Sequence, residues 1–130
     1  MTGGAEFIGS HVVNVLVQEE CDVTVLDNLD PRVHGTNKRL PIHKNGGASY
    51  VIGDVQSEKQ IRDIVTNVDA IIHLAAEVGV GGSMCEIERY VDANACGTVP
   101  LLRLLITLNY HVERLVCESS MSAYGEQEYC

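Results

Sequence analysis

The chain has no apolar run near the ~18 residues that a membrane-spanning helix needs. It has no basic stretch leading into an apolar core at its start, so no signal peptide is read there. Positive charge is scarce: 9 Lys and Arg stand against 18 Asp and Glu, a net charge of −9. That deficit argues against nucleic acid and anionic membrane as partners, because both need a positive surface. The 5 cysteines, at 21, 85, 96, 117 and 130, form no C-x-x-C pair, and no His lies at metal-ligand spacing from them. No metal site is expected, and the odd, scattered set reads as reduced thiols in a cytoplasmic protein. What is present suffices for one small domain with a core: 130 residues, 45% of them hydrophobic.

Apolar spacing predicts the elements. Ile8, Val12, Val15 and Leu16 mark a helix over 8–19. Val23 to Leu26 is a short buried strand ending at Asp27. Residues 28–48 hold two of the 3 prolines, several glycines and mixed charge, and read as a loop. A second strand covers 49–53. A short amphipathic helix follows at 57–66, with Ile61, Ile64 and Val65 inward. Residues 70–74 form a third strand, and 79–83 a glycine-rich loop. A long helix is expected over 86–109, with Ile87, Tyr90, Val91, Leu101, Leu105 and Leu108 on one face. Arg114 to Glu118 is a fourth strand. Short apolar strands alternating with helices mean a parallel sheet covered on both faces. Ligands of such sheets bind beyond the carboxyl ends of the strands.

Residues 2–11 read T-G-G-A-E-F-I-G-S-H. This nearly spells the dinucleotide-binding turn T-G-x-x-G-x-x-G, with Glu6 in place of the second glycine. Gly3 makes the tight turn and Gly9 lets the helix pack close on the sheet. The helix start then offers free N–H groups and partial positive charge to a pyrophosphate. Asp27 stands where a carboxylate accepts from both hydroxyls of the adenosine ribose and repels a 2′-phosphate, favouring NAD over NADP. Asp54, at the next strand end, is placed either to accept from the adenine amino group or to start the following helix. At the third, the small residues after His73 allow close backbone approach to a cofactor, while His73 itself reads as a buried structural histidine. Ser119 and Ser120 follow the fourth strand, where a hydroxyl suits a substrate oxygen. Asn94, near the apolar face of the long helix, is expected to be buried and to bond backbone or water.

Together these residues resemble the extended short-chain dehydrogenase/reductases, the NAD-dependent nucleotide-sugar epimerases and dehydratases. The resemblance rests on T-G-G-A-x-F-I-G-S-H at 2–11, L-D-N-L at 26–29, G-D-V at 53–55 and H-L-A-A at 73–76. It extends to an Asn-containing helix with Gly97-Thr98 and to S-S-M-S-x-Y-G at 119–125. It implies an α/β fold, a Rossmann-type doubly wound parallel sheet, with residues 1–130 forming part of the NAD-binding domain. It places Gly3, Phe7, Ile8 and Gly9 at the pyrophosphate and Asp27 and Asn28 at the ribose. Asp54 and Val55 fall at the adenine, and Leu74, Ala75 and Ala76 on the nicotinamide side, with Asn94 completing the cofactor set. Ser120 matches the serine that hydrogen-bonds the sugar 4-hydroxyl. Met121-Ser122 stand where the dehydratases have Asp-Glu, which favours the epimerase branch and a nucleotide-linked hexose or deoxyhexose. Family members often form a homodimer through their long helices.

The departures are specific. At an effective dielectric of 20, charges ~4 Å apart repel by about 4 kcal/mol, so an ionised Glu6 beside a pyrophosphate would lower affinity roughly a thousandfold. NAD affinity is therefore expected to be low. Glu20 replaces a helix-ending glycine, at about 1 kcal/mol. Pro100 falls inside the long helix, at about 3 kcal/mol or a kink. Before Gly3 stand only Met1 and Thr2 of the expected central strand, whose slot would expose unpaired backbone. The family's base, Y-x-x-x-K, is absent: Tyr124 is followed by Glu128, and Tyr129 by no residue at that distance. The chain is accordingly expected to be a piece of such an epimerase, without its substrate region and inactive alone. Two other functions stay open: an active enzyme when full-length, and a non-catalytic dinucleotide-binding or interaction module docking to an intact paralogue.

Overall fold

A computed structural model describes residues 1–107, 112–120, 123 and 125. Leu108, Asn109, Met121, Ser122, Tyr124, Tyr129 and Cys130, all used in the sequence reading, lie outside them. Helix α1 is Phe7–Gln18, β1 Thr24–Asp27, α2 Pro31–His34, β2 Ser49–Ile52, α3 Glu58–Val65 and β3 Ala70–His73. Helices α4 (Val80–Cys85) and α5 (Ile87–Val91), a π-helical turn (Asp92–Cys96), α6 (Thr98–Thr107) and β4 (Arg114–Cys117) follow.

β1 pairs in parallel with β2, and β3 with β4, Leu26 facing Val51 and Ile72 facing Val116. Thr2 joins the two pairs by bridging Leu26 on one side and His73 on the other. The order across the sheet is therefore β2-β1-Thr2-β3-β4. Met1 and Thr2 carry more of the central pairing than their number suggests. The Leu26 amide donates to Met1 O at 2.8 Å, the Thr2 amide to Ile72 O at 2.9 Å, and the Leu74 amide to Thr2 O at 3.2 Å. The Met1 amino group donates to Thr24 O at 2.7 Å, and burial pushes its pKa down to about 6. The expected slot is reduced to a small apolar cavity beside Met1, walled by Leu26, Ile61, Val65, Ile71 and Leu101.

Strand alternation divides the core between two faces. Val25 turns to one, where it packs with Val13 of α1 and with Val23. Leu26 turns to the other, against Ile61 and Val65 of α3 and Leu101 and Leu104 of α6. Helices thus cover both faces of a parallel sheet. Among the described residues no helix is long and apolar enough to cross a membrane.

Three segments differ from expectation. The 28–48 loop contains α2, because Asp30 accepts from the Arg32 amide at 2.8 Å and Pro31 opens the helix. The glycine-rich stretch after Gly79 is α4 rather than loop. The long helix is broken at the π turn, where the Gly97 amide reaches back five residues to Asp92 O at 2.8 Å. This absorbs Pro100, which falls in the first turn of α6, where a missing N–H forfeits little. The extra residue also rotates the buried face. Leu104 is fully buried, whereas Ile87 and Val91, expected inward, are exposed.

α1 ends as its sequence predicts. The Cys21 amide donates to Leu16 O and the Glu20 amide to Val17 O, a Schellman closure with Glu20 left-handed at φ 60°. Glu20→Gly is expected to raise stability by about 1 kcal/mol in urea unfolding. Leu104→Ala is expected to lower it by about 2–5 kcal/mol.

Candidate functional site

A cleft open to solvent, with about 870 Å³ of empty space, lies at the carboxyl ends of β1, β2 and β3. The chain reverses there at every strand, which leaves loop backbone and polar side chains facing one hollow. Its walls bring together Gly3, Asp27, Asn28, Asp54, Val55, Ala75 and Ala76 from the sequence reading, and Glu6 with them. Phe7 and Ile8 are exposed on the first turn of α1 and do not line it. Gly9, Leu74, Asn94 and Ser120 are also off its walls; Ser120 is exposed beyond β4.

The glycine turn is shaped by close approach. Gly3 has φ +67°, and a Cβ there would fall 2.7 Å from Ala75 N. A Cβ on Gly9 would sit 2.2 Å from Gly3 O. Gly9 therefore lets α1 begin against its own turn, a correction to the expected contact with the sheet.

Asp27 is buried and held from both sides. Ala5 N donates to one carboxylate oxygen and Leu29 N to the other, each at 3.0 Å. These bonds fix the carboxylate and leave further lone pairs for hydroxyl donors. Buried His34 Nε2 lies 3.9 Å from Asp27 Oδ1 without a hydrogen-bond partner. Asp54 is turned by its own loop, accepting from the Gln56 amide at 2.8 Å.

His73 is structural, as read. Its Nδ1 lies 2.7 Å from Thr2 Oγ1 and its Nε2 3.0 Å from Thr98 Oγ1. Ala75 N donates to Thr2 Oγ1, and Thr98 Oγ1 donates to Asn94 O. That order assigns a neutral ring with its proton on Nε2. Burial, then the nearby Met1 ammonium, lowers its pKa.

Sequence reasoning missed a clamp over the cleft. Arg89 donates to Asp30 at 2.7 Å and also to Glu77, tying the loop after β1 to the loop after β3. Asn94 fastens the same loop: its Oδ1 accepts from Glu77 N at 2.7 Å and its Nδ2 donates to Glu77 O at 3.0 Å. Asn94 is exposed, not buried, yet both its polar ends are satisfied by backbone. Charged loop residues without a motif gave no sequence signal for this network.

Glu6 is the N-cap of α1 but makes no side-chain capping bond. Burial, then the charges of Asp27, Glu77, Asp30 and Glu118, pushes its pKa up to about 7.

The profile of the NAD dependent epimerase/dehydratase family matches residues 1–129. The chain belongs to that family. UDP-glucose 4-epimerase of Klebsiella pneumoniae is 33% identical over 132 residues, which cover 98% of this chain and 91% of that protein. A bifunctional UDP-glucose 4-epimerase and UDP-xylose 4-epimerase of Arabidopsis thaliana is 33% identical, covering 98% of this chain and 38% of its own length. This chain thus spans less than half of several of the relatives it matches. A UDP-glucose 4-epimerase crystal structure superposes with a TM-score of 0.82 at 31% identity, covering 98% of this chain and 37% of that one. Another, from Stenotrophomonas maltophila with bound NAD and formylated UDP-arabinopyranose, gives 0.79 at 29% identity, covering 99% and 38%. The Rossmann-type fold and the nucleotide-sugar epimerase kinship follow directly.

Two pH dependences come with the site. His73 has a lowered folded-state pKa, so its contribution to stability is present above the ordinary 6.5 and lost as pH falls below it. His73→Gln should lower stability at pH 7.5 by about 1–3 kcal/mol and flatten the acid limb of a melting-temperature profile. Glu6 is the opposite case. Its folded-state pKa is raised, so stability falls as pH rises from about 4.5 to about 7. Glu6→Gln should therefore melt higher than the parent at pH 8 and little differently at pH 4.

Proposed function

We propose that the chain forms the NAD-binding part of a nucleotide-sugar 4-epimerase. The observation that carries this reading is Asp27, buried at the end of β1 and oriented by two backbone amides on the wall of an open cleft. A carboxylate so held suits a pair of ribose hydroxyls and disfavours a 2′-phosphate, hence NAD over NADP.

The residues present fit the adenosine half of the cofactor. Gly3 leaves a cradle that a Cβ would fill, Asn28 would flank the ribose, and Asp54 and Val55, on the cleft wall beyond β2, would face the adenine. Gly9 and the start of α1, with Phe7 and Ile8, would lie along the pyrophosphate. Ala75 and Ala76, with Leu74 behind them, would face the nicotinamide side. Asn94 would act through the Glu77 backbone it holds. When bound, NAD supplies the acceptor and donor of hydride for a sugar C4.

In this reading Ser120 donates a hydrogen bond to the sugar 4-hydroxyl and holds it for proton removal. Met121-Ser122, rather than Asp-Glu, support the epimerase over the dehydratase branch. The substrate class is then a nucleotide-linked hexose or deoxyhexose. No tyrosine of these 130 residues has a lysine four positions on. Proton removal is therefore assigned to no residue here.

Calorimetric titration tests the cofactor reading. NAD should bind more tightly than NADP. Asp27→Asn, which removes the charge and keeps an acceptor oxygen for only one of the Ala5 and Leu29 amides, should weaken NAD by roughly ten- to a hundredfold, the loss of charged hydrogen bonds worth about 1.5–3 kcal/mol. Equal affinity for the two dinucleotides, or no effect of Asp27→Asn, would overturn it.

A further inference from the structure

Glu6 is a charged residue that neither the fold nor the proposed chemistry uses. Its carboxylate makes no ion pair or hydrogen bond among the described residues, although two arginines are close to the cleft. Arg89 is committed to Asp30 and Glu77, and Arg32 to Glu86. The charges facing Glu6 are otherwise acidic and come from each neighbouring element. They are Asp27 at the end of β1, Asp30 at the start of α2, Glu77 after β3 and Glu118 after β4, with Asp54 on the far wall. The start of α1 supplies the remaining positive potential, from its free amides.

The cleft is thus divided by charge tolerance. One part, around Asp27, Asn28, Asp54 and Val55, offers a neutral nucleoside hydrogen-bond acceptors. The other part, at the start of α1, places an unpaired carboxylate where a pyrophosphate would bring two negative charges. Both cannot be ionised at several ångströms' separation without strong repulsion. The carboxylate is the group able to yield, by taking up a proton and becoming a hydrogen-bond donor to a phosphate oxygen.

We propose that Glu6 is the specificity-determining residue of this cleft: adenosine ligands without phosphate bind whatever its charge, whereas pyrophosphate dinucleotides bind with uptake of one proton by Glu6. The inference rests on the cofactor reading above. The sign follows from linkage. Free Glu6 titrates at about 7, and a bound pyrophosphate raises that value further. Below the free value Glu6 is protonated in both states, and affinity for NAD is constant. Between the free and bound values affinity falls as pH rises, by up to about tenfold per pH unit.

The test is calorimetric titration with NAD and with adenosine at pH 5.5, 7.0 and 8.5, each in two buffers of different ionisation enthalpy. The protein, Glu6→Gln and Glu6→Gly are compared. The expected result is NAD binding that weakens by an order of magnitude or more from pH 5.5 to 8.5, with close to one proton taken up at pH 8.5 and none at pH 5.5. Adenosine should show neither effect, and both variants should bind NAD with no pH dependence and more tightly at pH 8.5 than the parent. NAD affinity that does not change with pH in the parent overturns the inference, as does a pH dependence that survives Glu6→Gln or is equally large for adenosine. If NAD binds to none of the three proteins at any pH, the cofactor reading itself falls and this inference with it.

Discussion

The structure depends on one residue that belongs to both halves of the sheet. Thr2 bridges Leu26 and His73 through its backbone, and its hydroxyl is fixed between the His73 ring and the Ala75 amide. Remove that bridge and β1-β2 and β3-β4 become separate two-strand ribbons, each marginal without its neighbours. The same bridge sets the cleft. Gly3 follows Thr2 directly, so the turn against Ala75 is placed by the pairing that joins the sheet. His73 carries the link onward to Thr98, and Thr98 to the Asn94 carbonyl, which connects sheet centre, α6 and the π turn in one chain of hydrogen bonds.

Much of this was legible in the sequence because it obeys local rules. The four strands, α1 and α3 were marked by apolar runs and spacing. Asp27, Asp54 and the residues after His73 were found because a parallel sheet collects its functional groups at strand ends. Glu20 was marked by the family resemblance, which puts a helix-ending glycine there, and the Schellman closure gives it the left-handed backbone. What was not legible depended on a single inserted residue or on distant pairing. Helical spacing cannot register a π turn before its hydrogen bonds are seen, so Ile87 and Val91 were assigned inward and Leu104 was overlooked. Arg89 reaches Asp30, 59 positions away, and nothing in a one-dimensional pattern marks that pair.

Electrostatics gives the cleft its character. Its carboxylates differ in how they are held. Asp27 is stabilised by amides from two directions, and Asp30 and Glu77 share Arg89. Glu6 has no such partner, and burial and the surrounding acids raise its pKa. A site with so many acids stays compact because its cations are spent on the loops rather than on the space between them. The loops are rigidly tied, and the free space keeps the residual negative potential.

The π turn separates two tasks that a regular helix would force into one phase. One added residue turns everything beyond it by about 100° relative to everything before it. Upstream, α5 keeps Arg89 over the cleft; downstream, α6 keeps Leu101 and Leu104 in the core. In an unbroken helix, setting one side chain would dictate the angle of the others. Here the loop clamp and the hydrophobic layer are geared independently, so substitutions that tune the cleft need not disturb the packing beneath the sheet.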